Sequence, residues 1–140
     1  MARKKYGNQL PTQSVILPYV KKRSLSKEAI EIYEKTGLSS YIWQKKLLES
    51  MMAVDKKGLW VHQKFGYSIP RRNGKSELLY MLELWGLHQG LNILHTAHRI
   101  STSHSSFEKV KRYLEKMGYV DGEDFTSIRA KGQERIALSN

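Results

Sequence analysis

Cysteine is absent from the 140 residues, which excludes disulfides, thiolate nucleophiles and cysteine-based zinc sites together. Proline occurs only at positions 11, 18 and 70, so nearly the whole chain is open to helix and strand. No apolar run approaches the ~20 residues of a membrane span. No apolar stretch follows the basic start Met1-Ala2-Arg3-Lys4-Lys5, so a secretory leader is not expected either. Acidic residues are scarce, 13 against 24 Lys plus Arg, for a net charge of +11. What remains is ordinary for one folded domain: 40% hydrophobic and 26% charged residues.

The charge is uneven. Residues 1–30 hold seven basic side chains and one acidic, concentrated in Arg3-Lys4-Lys5 and Lys21-Lys22-Arg23. Such an excess attracts polyphosphates or nucleic acid with a marked dependence on salt. A solvated tail is the plainer reading of the arm alone. Residues 1–25 therefore read as a basic N-terminal arm with short extended pieces around Pro11 and Pro18, and residues 26–140 as the folded domain.

Within that domain, Ser26 to Lys35 predicts a short helix capped by Ser26 and stopped by Gly37. Ser39 or Ser40 opens a second helix reaching about Asp55, with Trp43, Leu47, Met51 and Val54 on its core-facing stripe. From Val61 to Ile69 the period changes to two, as in a strand. A loop, Pro70-Arg71-Arg72-Asn73-Gly74, precedes an apolar helix from Lys75 to Gln89, and Leu91 to Thr96 reads as a second strand. Strand, loop, helix, strand is a βαβ unit, which predicts two parallel strands with a right-handed crossover. Ser105 and Glu108 form a capping-box pair for a helix to Met117. Phe125–Ala130 and Arg135–Leu138 read as two short strands of a hairpin around Lys131-Gly132.

The informative segment is Ile69-Pro70-Arg71-Arg72-Asn73-Gly74-Lys75-Ser76. Gly-Lys-Ser between a strand and a helix is the second half of a phosphate-binding loop; Ile69 stands where the leading glycine would be. Gly74 lets the backbone pass close to phosphate oxygens, and the N–H groups at the helix start form an anion nest. Lys75 can reach the β and γ phosphates, and the Ser76 hydroxyl can ligate Mg²⁺. Two arginines beside a helix N-terminus cost electrostatic energy unless an anion is present.

Written this way, the loop resembles that of the ATPase domain of tailed-phage terminase large subunits, the motors that package DNA into procapsids. Tyr41-Ile42-Trp43-Gln44-Lys45-Lys46-Leu47 is similar to the family's adenine-recognition segment. His95-Thr96-Ala97-His98-Arg99 with Thr102-Ser103-His104-Ser105-Ser106-Phe107-Glu108 looks like the strand and helix that follow the phosphate-loop helix in a terminase subgroup. The resemblance covers about residues 40–140. It implies an α/β, Rossmann-like P-loop NTPase with a parallel sheet and flanking helices, binding ATP and Mg²⁺ in the cytoplasm of an infected bacterium. It implies Gln44 on the adenine, Arg72, Asn73, Gly74, Lys75 and Ser76 on the phosphates, Ser76 on Mg²⁺, and Lys75 with Arg71 as the catalytic pair. Implied partners are double-stranded DNA, a terminase small subunit, the portal protein, and further copies of the chain or the rest of the terminase.

The family continues with an aliphatic strand ending in Asp-Glu and a nuclease domain, and nothing after Ser76 has that form; Glu123-Asp124 follows Gly122. The expectation is thus an incomplete sheet that binds ATP, in a truncated or split form. Two alternatives stand beside it: a helicase-like ATPase fragment, and a non-catalytic nucleic-acid-binding module. Gln44 also reads as a polar residue on an exposed helix turn, and Trp43 as core. His95, His98 and His104 lie among hydroxyls rather than carboxylates, a poor zinc set; His98 and Arg99 suit a phosphate better. The hydroxyls at 101–106 suit a helix cap or a nucleic-acid backbone.

Overall fold

The computed structural model describes residues 8–130 and 132–139. The arm residues Arg3-Lys4-Lys5 and the turn residue Lys131 lie outside them. The chain forms two compact units: residues 1–27 with 40–68, and residues 28–39 with 69–140.

In the first unit, residues 8–20 have no regular structure, and Lys21–Arg23 make one 3₁₀ turn. A helix, α1 (Ser26–Glu34), begins here, although most of it belongs to the second unit. The next helix, α2, spans Ile42–Met51, shorter than the pattern predicts. Its buried face is also one residue off the expected stripe. Gln44, Leu48 and Met52 are buried, whereas Trp43, Leu47 and Met51 are half-buried. A polar Gln44 can face inward because its Oε1 accepts the Tyr41 N–H at 2.7 Å, closing the helix start. Beyond α2 the chain doubles back at Asp55, whose Oδ1 accepts the N–H of Lys57 and of Leu59. The Val61 N–H then reaches Ala53 O at 3.0 Å. The arm is fastened by Tyr19, whose hydroxyl donates to Glu49 at 2.9 Å, and by Leu17, whose N–H donates to His62 Nε2 at 3.1 Å.

The second unit adds α3 (Lys75–His88), α4 (Ile100–Lys116) and strands β1 (Phe125–Ile128) and β2 (Arg135–Leu138). Both long helices end in the same glycine cap. After α3 the Gly90 N–H reaches Leu87 O and the Leu91 N–H reaches Gly86 O; after α4 the Gly118 N–H reaches Glu115 O and the Tyr119 N–H reaches Leu114 O. Gly90 and Gly118 have φ of 68° and 91°, a conformation glycine adopts without penalty. The strands pair antiparallel, Phe125 opposite Leu138 and Ile128 opposite Arg135, as the hairpin reading expects. Ala29, Tyr33, Leu78, Met81, Leu84, Val110, Tyr113, Leu114 and Phe125 are the buried core.

The expected parallel sheet does not form. Among the described residues the only sheet is the antiparallel pair β1–β2, so the Rossmann-like P-loop architecture is overturned. Residues 61–69 bend at Val61, Gln63 and Lys64 and then alternate, with Phe65, Tyr67 and Ile69 half-buried and Gly66 and Ser68 exposed, yet they join no ladder. Residues 91–96 likewise join no ladder. They leave the glycine cap and return along α3: Ile93 lies where a Cβ on Gly86 would stand 2.7 Å from its Cδ1, and His95 Nδ1 pairs with Glu83 of α3. Leu94, facing away, is 88% exposed. The alternation shows in the burial of residues 65–69, residues 91–96 touch α3 through Ile93 and His95, and neither segment pairs with a strand. A parallel pair needs further strands and cover on both faces to be stable.

The start of α4 is corrected too. It begins at Ile100, not Ser105. Ser105 lies inside the helix and donates to Ser101 O at 2.8 Å, while Glu108 pairs with Arg129, so their capping box does not exist.

The turn before β1 rests on a buried cation. Lys111 Nζ sits 2.7 Å from Asp121 Oδ2, and Asp121 Oδ1 accepts the Ser127 N–H at 3.1 Å. Lys111 first, then the Ser127 hydroxyl, hold the Asp121 carboxyl down at about 2 from the ordinary 3.8. A lowered carboxyl stabilises the fold above its unfolded value and ceases to as pH falls through its folded value. Thermal unfolding measured between about pH 4 and about 2 should show the melting temperature falling more steeply in the wild type than in Asp121→Asn; equal slopes would contradict the pairing.

Candidate functional site

Ile69 to Ser76 belongs entirely to the second unit. The loop is built from alternating backbone hand. Arg72 has φ 65°, and among the described residues it is the only non-glycine with positive φ; Gly74 has φ 76° and ψ 24°. Positive φ at Arg72 and at Gly74, on either side of Asn73, makes two tight bends here; alternation of backbone hand is what shapes an anion nest. Gly74 adopts this freely, whereas Arg72 does so at a cost of about 1–2 kcal/mol. Residues of this kind cluster at binding sites, where the surrounding structure holds them.

Asn73 latches the loop. Its Nδ2 donates to Pro70 O at 3.2 Å and to Arg71 O at 3.1 Å. Gly74 caps the 14-residue helix α3, with Lys75 as its first residue. Among the described residues no protein acceptor takes the backbone N–H of Arg72 or Ser76. Such a helix presents roughly half a positive charge at this end. Arg71, Arg72, Lys75 and Ser76 are all exposed, so three cations and a hydroxyl surround the same turn.

The turn that follows is anchored in the core. Glu77, in the first turn of α3, accepts the Tyr33 hydroxyl at 2.7 Å and the Tyr113 hydroxyl at 2.6 Å on one oxygen, Oε2. The two rings meet edge to face, 5.8 Å apart, and Tyr80 packs on Tyr113 at 5.9 Å. Burial first, then the Glu77 carboxylate, push the Tyr113 hydroxyl well above its ordinary range, so it stays a donor. Glu77 escapes sequence reading because an acid in a first turn already has a reason in the helix dipole. The available signal is Tyr33 and Tyr113 on inward faces, since a buried hydroxyl needs an acceptor.

Of the residues singled out in the sequence, Arg71, Arg72, Asn73, Gly74, Lys75 and Ser76 come together in this loop. Gln44 belongs to the other unit. It is only 1% exposed and its amide oxygen is occupied by Tyr41, which corrects its reading as an exposed polar residue. A base contact through that oxygen would first have to break the helix cap. His95 pairs with Glu83 and His104 with Glu134. Burial of Glu83 raises its carboxyl more than His95 lowers it. His98 and Arg99 are exposed just before α4.

The arrangement can hold an anion of several charges through backbone N–H groups, guanidinium and ammonium groups, with one hydroxyl for a cation that travels with it. No family model, curated protein or solved structure matches the chain.

If Arg72 is strained for binding, Arg72→Gly should raise the stability of the ligand-free protein by up to about 1 kcal/mol while weakening its hold on a triphosphate. Denaturant unfolding and a titration on the same variant check both halves; a destabilised Arg72→Gly would contradict the strain.

Proposed function

We propose that the loop Pro70–Ser76 grips the phosphates of ATP, and that the chain is the ATP-binding part of a terminase large subunit, a viral DNA-packaging motor. The observation that carries the reading is the conjunction at one helix start: left-handed Arg72 and Gly74 on either side of Asn73, with Arg71, Arg72, Lys75 and Ser76 exposed around them. The loop amides and Lys75 bind the β and γ phosphates, and the arginines neutralise the remaining charge. The Ser76 hydroxyl, exposed in the first turn, suits the Mg²⁺ that accompanies the nucleotide. The cation supplies charge neutralisation when bound; the chain itself positions and screens the phosphates.

The proposal is for binding first. The carboxylate next to the loop in sequence, Glu77, is engaged by Tyr33 and Tyr113. Hydrolysis would need carboxylates on an aliphatic strand, which the sequence after Ser76 does not supply. The motor assignment rests on the sequence resemblance, with double-stranded DNA, a small subunit and a portal as its implied partners, in the cytoplasm of an infected bacterium. Among the described residues no helix is long and apolar enough to cross a membrane.

Titration calorimetry with Mg-ATP at low salt should show saturable binding, weakened at least about tenfold, or 1.4 kcal/mol, in Lys75→Ala. No binding by the wild type, or equal binding by the variant, would remove the proposal.

A further inference from the structure

Asn73-Gly74 is the only Asn-Gly pair in the sequence, and it sits in the middle of the loop. We infer that Asn73 is a site of spontaneous deamidation, and that the reaction inactivates the loop as an anion site. The chemistry needs an asparagine followed by a residue with no side chain, because the following backbone nitrogen must reach the asparagine side-chain carbonyl. Asn8 and Asn92 precede Gln9 and Ile93, whose side chains crowd that approach. Asn73 is exposed, so water reaches it.

The step balances without any cofactor. The Gly74 backbone nitrogen attacks Asn73 Cγ and forms a ring C–N bond. The Cγ–Nδ2 bond breaks, and Nδ2 leaves as ammonia with the proton that Gly74 gives up. Water then opens the cyclic imide. Breaking the ring bond at Cγ gives aspartate; breaking it at the backbone carbonyl carbon gives isoaspartate, with the chain rerouted through the side chain. The surroundings favour the charges that develop. The N-terminal end of α3 and the nearby Arg71, Arg72 and Lys75 stabilise both the anionic nitrogen and the oxyanion on Cγ.

The consequence follows from the latch. The amide nitrogen of Asn73 donates to two carbonyl oxygens, at 3.2 and 3.1 Å. Aspartate puts a carboxylate in place of that donor; isoaspartate takes Cγ into the backbone, leaves its carboxylate on Cα and removes the donor. In aspartate two attractions to Pro70 O and Arg71 O become two repulsions; in isoaspartate both attractions are lost, and either way a negative charge enters a loop otherwise lined by cations. Isoaspartate also lengthens the backbone between Arg72 and Gly74. This effect on binding rests on the proposal above; the reaction itself does not.

The test ages the folded protein and a urea-unfolded sample side by side at neutral pH. Peptide mass spectrometry and isoaspartate methyltransferase labelling read positions 8, 73 and 92. The expected result is conversion at Asn73 in the folded protein, with Asn8 and Asn92 intact. The acidic fraction, separated by ion exchange and shown folded by circular dichroism, should bind Mg-ATP at least about tenfold more weakly than fresh protein. An intact Asn73 in the folded protein, after the unfolded sample has lost most of its own, overturns the inference. So does an aged fraction that binds as well as fresh protein. If fresh protein binds no Mg-ATP, the binding proposal and the inactivation fall together, and conversion at Asn73 still decides the modification.

Discussion

One carboxylate oxygen ties together three elements of the second unit. Glu77 Oε2, in the first turn of α3, receives the hydroxyl of Tyr33 from α1 and that of Tyr113 from α4. Hydrogen bonds to a charged group contribute roughly 1.5–3 kcal/mol each, and here two of them fix the rotation of α3 where the loop enters it. The rest of the unit is arranged around that point. Leu78, Met81 and Leu84 bury the same helix, and a glycine cap ends it. Residues 91–96 then return along it to the Glu83–His95 pair.

A phosphate loop needs its helix start held still, because N–H groups bind an anion well only when already aimed. In the usual arrangement a sheet strand supplies that rigidity from the other side. Here the described residues offer no parallel sheet, and the anchoring comes from a side-chain clamp after the loop and the Asn73 latch within it. The latch and the left-handed Arg72 set the backbone, and the clamp sets the helix. In the proposed reading, the strain of the loop is met by core packing and not by the ligand.

Helix positions were legible where a glycine closed them, as at α1, α3 and the end of α4. The start of α4 was not, because Ser101 to Ser106 carry no periodic apolar signal and serine suits a cap as readily as a first turn. The β1–β2 hairpin is local and was readable. A parallel pairing between 61–69 and 91–96 is a non-local claim, and alternation alone cannot tell a strand from an extended segment lying on a helix. The offset in α2 has a similar origin: a wide apolar arc leaves the buried line undecided by one residue, and only the Gln44–Tyr41 bond settles it. Within the candidate site, Gly74, Lys75 and Ser76 could be picked out by spacing. The left-handed Arg72 and the three-residue clamp at Glu77 could not, since each depends on what the surrounding fold imposes.

The central claim is that the backbone from Arg72 to Ser76 is an anion receptor. Amide chemical shifts recorded while Mg-ATP or tripolyphosphate is added test it most directly. The account predicts saturable shifts concentrated at Arg72, Asn73, Gly74, Lys75 and Ser76. Shifts confined to the basic N-terminal residues, with those five amides unmoved, would contradict it.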